Sequence, residues 1–127
     1  MESKETAQML ADVLSSKKAR DVVIINISEK SSFADYFVIC SAQTNTQVKA
    51  LTENVADKVK TTFGRLPIGR ENDVKNRWNL VDYGDVVVHI LHQDEREAYA
   101  LEKFWNHAFS IPAETWLKES EEYSDYN

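Results

Sequence analysis

Two short runs of β-branched and aromatic residues place the strongest constraint on the fold of this chain. Residues 21–28 read DVVIINIS and residues 34–42 read ADYFVICSA, and each is an almost unbroken apolar stretch. Such continuous runs are typical of strands that are covered on both faces, because a half-solvated strand alternates apolar and polar residues. The polar link EKSS between them is short, which favours an antiparallel pairing of the two strands.

Apolar residues at helical spacing predict a helix before these strands and a second helix after them. The first covers residues 4–19, with Ser3 available as its N-cap and an inward stripe of Ala7, Leu10, Ala11 and Leu14. The second begins at Thr44, whose spacing to Gln47 is that of a capping box, and ends at Gly64. Its inward stripe is Val48, Leu51, Val55, Val59 and Phe63.

A third helix is predicted after residue 93, and it completes the order of elements. Asp94 caps it with Glu97 behind, and Pro112 discourages its continuation. Its inward residues are Ala98, Leu101, Phe104, Trp105 and Ala108. With two further strands in residues 79–92, the order is helix, two strands, helix, two strands, helix. We predict an α+β fold, an α/β sandwich with a four-stranded mixed sheet.

The length and composition predict one domain. The chain has 127 residues, 43% of them hydrophobic, which is enough for a single core. We assign residues 1–110 to this domain and residues 111–127 to an acidic C-terminal tail. The tail carries five acidic residues from Glu114 onward against Lys118 alone. A frayed, solvated end is the preferred interpretation, and an arm that docks on a partner is the alternative.

Charge and cysteine content limit the partners and the compartment. The net charge of −6 argues against binding nucleic acid through the overall field, so a basic partner is expected and sequence-specific nucleic-acid binding is not. No apolar run approaches the roughly 20 residues that cross a bilayer, so we expect no membrane segment. The lone Cys40 lies in an apolar stretch and is expected to be a buried, inert thiol. These features favour the cytoplasm.

The stretch NLVDYGDVVVHILH, residues 79–92, predicts a β-hairpin with a defined register. A two-residue turn at Gly84 and Asp85 suits type II′, and it pairs Tyr83 with Val86 and Trp78 with Leu91. The alternative turn would place Asp82 opposite Asp85, which is unfavourable. One face then carries Val81, Tyr83, Val86, Val88 and Ile90 and is the predicted core face. The other carries Trp78, Leu80, Asp82, Val87, His89 and Leu91.

This second face resembles a protein contact, with an aromatic anchor, an apolar surround and one charge. The alternative is that a helix of the same domain covers it. A metal site is not expected, because His89 and His92 are three residues apart and point to opposite faces of a regular strand. Asp82 and Asp85 are the only candidates for magnesium-dependent nucleotidyl transfer, and no glycine-rich loop accompanies them. That enzyme is kept as the alternative function.

The segments SSFADYFVICSAQTNTQVKAL and RWNLVDYGDVVVHILHQDEREAYALEKFWNHA resemble the Iojap/RsfS family of ribosomal silencing factors, over about residues 5–108. The resemblance implies a nucleotidyltransferase-like fold without catalytic function and without a cofactor. It implies binding to the large ribosomal subunit through ribosomal protein L-fourteen, which blocks subunit joining and represses translation. It also implies a homodimer when the protein is off the ribosome.

The resemblance further implies a set of partner-binding residues. The family's contact surface matches Trp78, Leu80, Asp82 and Tyr83. The residues that also fit the family pattern are Asp85, His89, Arg96 and Tyr99. Because the predicted register puts Tyr83 and Asp82 on opposite faces, only one of them can be central to a flat contact unless the hairpin tip inserts. Asn79 departs from the aliphatic residue usual at its position. A dimeric scaffold that uses the hairpin for self-contact is a further alternative.

Overall fold

The computed structural model describes residues 2–29, 34–99 and 109–111, and they form an α+β fold around one mixed sheet. The helices are α1 (Ser3–Ser16), α2 (Asn45–Phe63) and α3 (Gln93–Tyr99). The strands are β1 (Arg20–Asn26), β2 (Tyr36–Ala42), β3 (Gly69–Glu71), β4 (Trp78–Asp82), β5 (Val86–His92) and β6 (Phe109–Ile111). The predicted fold class is confirmed.

The sheet has six strands in the order β3-β4-β5-β2-β1-β6. Strands β2 and β5 pair in parallel, and every other neighbouring pair is antiparallel. The predicted count of four strands is therefore too low. The four predicted strands form the middle of the sheet, and the two additional ones, β3 and β6, are three-residue edge strands. A pattern of three residues is too short to be distinguished from a loop by its periodicity.

Helices α1 and α2 pack on one face of the sheet and form the main core with it. The inward stripes predicted for both helices are buried in this core, except that Phe63 is only partly buried. From the sheet, the predicted core face of the hairpin joins the same cluster through Val81, Tyr83, Val86, Val88 and Ile90. Cys40 is a free, fully buried cysteine, and burial raises the pKa of its thiol to about 12.

Two of the three predicted helix starts are wrong, and one is confirmed. The Thr44 side chain accepts a hydrogen bond from Gln47 N at 3.1 Å, and Gly64 ends α2 with a left-handed φ of 66°. Ser3 lies inside α1, and its hydroxyl donates to Asp35 Oδ2 at 2.8 Å instead of capping. Asp94 lies in the first turn of α3, and its backbone N donates to His92 Nδ1 at 3.1 Å.

Part of the third helix and the tail fall beyond what the structure describes. The predicted inward residues Leu101, Phe104, Trp105 and Ala108 lie outside the described residues, as do residues 112–127 of the predicted tail. In the described ranges, no helix combines the length and the apolar character needed to cross a bilayer.

Candidate partner-binding site

The hairpin of β4 and β5 has the predicted register. Trp78 pairs with Leu91, Leu80 with His89 and Asp82 with Val87. At the tip, Tyr83 N donates to Val86 O at 2.9 Å, and Gly84 has a φ of 90°, as the first residue of a type II′ turn requires. Asp82 Oδ1 accepts from Gly84 N at 2.8 Å and so holds the turn from within.

The second face of the hairpin, which we call the hairpin face, consists of Trp78, Leu80, Asp82, Val87, His89 and Leu91. Its apolar members, Trp78, Leu80, Val87 and Leu91, belong to a second apolar cluster on the side of the sheet away from α1 and α2, together with Phe37 and Ile39 of β2. Within the described residues, neither α1 nor α2 contributes a side chain to that cluster. Of the hairpin face, Trp78, Leu80 and Asp82 are half-buried, so the accessible part lies along β4.

Trp78 and His89 are joined across the two strands. Trp78 Nε1 donates to His89 Nδ1 at 3.2 Å, and the two ring centroids lie 6.1 Å apart. The Phe37 ring meets the imidazole edge-on with a centroid distance of 4.4 Å. His89 is 7% exposed, and burial lowers the pKa of its imidazole to about 4. The neutral imidazole therefore accepts from Trp78 through Nδ1 and carries its proton on Nε2.

An open trough runs along β3 and β4 beside these residues. One part has a volume of about 340 Å³ and is lined by Glu71, Asn72, Asp73, Trp78 and Leu80. The adjoining part, of about 190 Å³, is lined by Gly69, Arg70, Glu71, Leu80, Asp82 and Val87. Glu71 and Leu80 line both parts, so the two parts lie side by side along the hairpin face. The trough combines an aromatic and aliphatic floor with three carboxylates.

Sequence reasoning missed the contribution of residues 65–76 to this trough. The four strands predicted from the sequence do not include β3, which lies in these residues, and the same stretch supplies Glu71 and Asp73. The stretch also holds the three large hydrophobic side chains that are exposed in the described structure: Leu66 at 62%, Ile68 at 75% and Val74 at 97%. Exposed apolar side chains grouped in one segment are a signal of a contact surface. The grouping of these three residues between α2 and β4 could be seen in the sequence.

A buried amide fixes the loop that forms one wall of the trough. Asn79 is fully buried, and its Nδ2 donates to Thr52 Oγ1 of α2 at 3.1 Å and to Asn76 Oδ1 at 3.2 Å. Its Oδ1 accepts from Asp73 N at 2.9 Å. Asp73 Oδ2 in turn accepts from the backbone N of Lys75 and Arg77. The unusual asparagine therefore ties the loop 72–77 to α2.

Asp85 lies at the hairpin tip and is held by Arg65, which follows α2. Arg65 Nη2 donates to Asp85 Oδ1 at 2.5 Å and to Tyr83 O at 2.8 Å, and Nη1 donates to Thr6 Oγ1 at 3.0 Å. Its guanidinium carbon lies 5.5 Å from the centroid of the Tyr83 ring. Arg65 thus connects α1, the end of α2 and the hairpin tip.

Arg65 and Asp85 should stabilise the protein jointly. In a double-mutant cycle with Arg65→Met and Asp85→Asn, we expect a coupling of about 1 kcal/mol in the free energy of unfolding, because both side chains are only partly exposed. Urea denaturation of the four proteins measures it. Strictly additive effects of the two substitutions would contradict a direct ion pair.

Tyr83 lies on the core side, away from the hairpin face. Its side chain is 3% exposed, and burial raises the pKa of its hydroxyl to about 12. The structure therefore brings four of the predicted site residues together: Trp78, Leu80, Asp82 and His89. Tyr83 and Asp85 lie at the tip, where Arg65 binds both.

The histidines and acids do not form a metal site in the described part of the chain, where no group of three His, Cys, Asp or Glu side chains is placed to hold an ion. His92 Nδ1 accepts from Asp94 N, while His89 lies on the hairpin face. The carboxylate of Asp82 is bonded to the turn and that of Asp85 to Arg65. The arrangement suits recognition of a partner better than it suits chemistry.

Comparisons with known proteins give one family. A family model described as "Ribosomal silencing factor during starvation" matches residues 1–127. The chain is 38% identical over 117 residues to the ribosomal silencing factor RsfS of Halalkalibacterium halodurans, covering 90% of this chain and 97% of that protein. It is 37% identical over 108 residues to RsfS of Bacillus subtilis, covering 85% and 91%.

The fold is similar to that of solved structures. A crystal structure of a Chromobacterium violaceum protein superposes with a TM-score of 0.78 at 32% sequence identity, covering 84% of this chain and 88% of that one.

Proposed function

Because the chain belongs to the RsfS family of ribosomal silencing factors, we propose that it binds the large ribosomal subunit through ribosomal protein L-fourteen and blocks subunit joining. In this proposal the protein represses translation by occupying a surface that the small subunit needs. The mechanism is steric, so it requires affinity and no bond-making step. Binding free energies of roughly 8 to 12 kcal/mol correspond to micromolar to nanomolar dissociation constants.

The observation that carries the proposal is the trough beside β4. Trp78 and Leu80 offer apolar area that a partner can bury, and both line the wider part of the trough. Tryptophan at the centre of a contact is a frequent anchor of binding energy. The Trp78–His89 hydrogen bond and the loop held by Asn79 fix the anchor before a partner arrives, which reduces the entropy lost on binding.

The charge of the trough favours a basic partner. Glu71, Asp73 and Asp82 contribute carboxylates to its walls, and Arg70 is the one cation among the described residues that line it. Ribosomal proteins that contact RNA are rich in lysine and arginine, so complementary charge would speed association and fix the orientation of the complex. Asp82 would meet a cation on the partner and Asp85 at the hairpin tip would flank that contact, while the buried Tyr83 would support the tip from the core side.

A homodimer off the ribosome and a cytoplasmic location belong to the same proposal. If the hairpin face were the dimer contact, a dimer would hide the surface that binds the ribosome. Light scattering on the Trp78→Ala variant distinguishes a dimer contact from a ribosome contact. If the wild type were a dimer and the variant a monomer, the hairpin face would be assigned to self-association.

Nucleotidyl transfer by Asp82 and Asp85 is the alternative function. The geometry does not favour it, because two magnesium ions require carboxylates that converge on a common point. Here one carboxylate supports the turn and the other forms an ion pair with Arg65. Magnesium-dependent nucleotide binding that is lost in Asp85→Asn would support the enzyme.

The proposal is tested by sedimentation with isolated large subunits and by binding to ribosomal protein L-fourteen alone. We expect the wild-type protein to sediment with the subunit, and Asp82→Asn to bind about tenfold more weakly, since removing one charge at a contact costs roughly 1.4 kcal/mol. The amide oxygen of this variant can still accept from Gly84 N, so the turn is kept.

Asp57→Asn is the matched control. Asp57 is an exposed acid on α2, which packs on the opposite side of the sheet from the hairpin face, and its loss should leave binding unchanged. A wild-type protein that binds neither the subunit nor L-fourteen at low salt would refute the proposal. Equal losses of affinity in Asp82→Asn and Asp57→Asn would refute the assignment of the binding surface to the hairpin face.

A further inference from the structure

Four cationic side chains gather at one end of the sheet, away from the hairpin tip. Lys17, Lys18 and Arg20 follow α1 and begin β1, and Arg96 comes from α3; we call this group the basic end. Arg96 Nη1 donates to Asp21 O at 2.5 Å, which holds α3 against the start of β1. Lys17, Lys18 and Arg20 are all exposed.

Lys18 occupies a backbone position that normally belongs to glycine. Ala19 N donates to Leu14 O and Lys18 N to Ser15 O, both at 3.0 Å, which is the pair of bonds that defines a Schellman motif after a helix. The residue at this position is left-handed, and Lys18 has a φ of 67°. A glycine there would relieve the backbone strain, because glycine has no Cβ and adopts a positive φ readily. The chain therefore retains a lysine where its own fold favours glycine.

The start of α2 lies beside the basic end. With its amide oxygen facing Arg20, Gln43 accepts at 3.0 Å from both terminal nitrogens of that guanidinium. Gln43 directly precedes Thr44, the cap of this 19-residue helix, and the first turn of α2 has no acidic residue. The partial positive charge at a helix N-terminus therefore adds to the four cations.

The acidic side chains nearby only partly neutralise the basic end. Among the described residues, Asp21 and Glu97 are the exposed acids that neighbour these cations in sequence, and the four positive and two negative charges of this described group sum to +2. The acids at the start of α3 lie near another cation, since Glu95 Oε1 lies 2.6 Å from Arg77 Nε and Asp94 Oδ2 lies 3.9 Å from Arg77 Nη2. A locally positive surface thus exists on a chain whose net charge is −6.

We infer that the basic end binds the phosphate backbone of duplex RNA without reading its sequence. Exposed lysine, arginine, glutamine and hydroxyl groups at a helix N-terminus are the donors that contact phosphate oxygens. The large exposed hydrophobic residues of the described structure all lie in residues 66–74, so the described part of the basic end has no apolar anchor for a protein contact or an interfacial helix.

The basic end and Trp78 can serve one assembly together. Arg20 pairs with Ser41, Ser41 with Leu91 and Leu91 with Trp78, so all four lie across the same end of the sheet. Three strand spacings separate Arg20 from Trp78, which is about 14 Å. A protein partner at Trp78 that is itself seated on RNA would therefore bring phosphates within reach of the basic end. The RNA contact nevertheless does not depend on the function proposed above.

The test is fluorescence anisotropy with a labelled 20-base-pair RNA duplex of arbitrary sequence, titrated at several KCl concentrations. We expect binding that weakens with salt and persists when the duplex sequence is changed. Lys18→Gly should bind about eightfold more weakly at 0.1 M KCl, because each phosphate contact makes affinity scale with salt to roughly the −0.9 power. The same variant should have a higher melting temperature, so lost binding cannot be attributed to unfolding.

Lys60→Gln is the control, because Lys60 is an exposed lysine in the last turn of α2, at the far end of that helix from the basic end. It should bind the duplex like the wild type. Absence of binding at 50 mM KCl, or equal losses in Lys18→Gly and Lys60→Gln, would overturn the inference. Since ribosomal protein L-fourteen is absent from the assay, its outcome is independent of the proposed subunit contact.

Discussion

Replacing Asn79 by alanine should lower the free energy of unfolding by about 3 kcal/mol. The residue is fully buried, and both its donor and its acceptor groups are bonded. Truncation leaves Thr52 Oγ1 without a donor and Asp73 N without an acceptor, and it opens a cavity between α2 and the sheet. The unpaired buried group at Thr52 costs roughly 1 to 3 kcal/mol, and the lost bond to the loop and the lost packing add to this. Urea denaturation at neutral pH measures the effect.

Thr52 provides the matched comparison. Its hydroxyl donates to Val48 O at 2.8 Å and accepts from Asn79, so Thr52→Val removes the partner of Asn79 Nδ2 without changing the helix stripe. We expect Thr52→Val to cost about 1 kcal/mol alone, and the Thr52→Val, Asn79→Leu double variant to cost less than the sum of the single changes. Additive costs, or a loss below about 1 kcal/mol in Asn79→Ala, would show that the amide does not connect α2 with the loop.

The elements that could be predicted from the sequence are those with a strong local pattern. The hairpin register was predictable, because Gly84 selects the turn and a slip of one residue would turn Val81 and Val88 away from the core. The α2 boundaries were predictable from Thr44 and Gly64. The role of Ser3 was not predictable, because its hydroxyl donates to Asp35, 32 residues along the chain. Capping rules consider only neighbouring residues and so cannot anticipate a distant acceptor.

The candidate site was predicted in part, and for a related reason. Alternation along β4 and β5 placed Trp78, Leu80, Asp82 and His89 on one face. The trough wall was missed, because β3 is a three-residue edge strand whose pairing with β4 defines it. The roles of Arg65 and Asn79 depend on contacts with residues 20 and 27 positions away, which no periodicity indicates.

His89 makes the stability of the fold depend on pH in a way that sequence alone did not suggest. Its imidazole is buried against Phe37 and Trp78, and burial lowers its pKa to about 4 from the ordinary 6.5. In the unfolded chain the imidazole regains the ordinary pKa. Between pH 6.5 and 4 the unfolded state therefore binds more protons than the folded state, and stability falls as the pH falls. Well above pH 6.5 the imidazole is neutral in both the folded and the unfolded state, so its full contribution to stability is present.

We therefore expect the wild-type protein to lose about 2 kcal/mol more stability between pH 7 and pH 5 than His89→Gln, with a limit of about 3 kcal/mol below pH 4. Glutamine does not titrate, and its amide oxygen can accept the hydrogen bond from Trp78 Nε1. All other groups titrate alike in the two proteins, so the difference between their urea midpoints isolates the imidazole. Protonation would also remove the acceptor that holds the Trp78 indole, so tryptophan fluorescence of the folded wild type should change around pH 4, where the folded imidazole titrates, and not between pH 7 and pH 5. If the free energy of unfolding of the two proteins changed in parallel with pH, the imidazole would be hydrated in solution and would not fix Trp78.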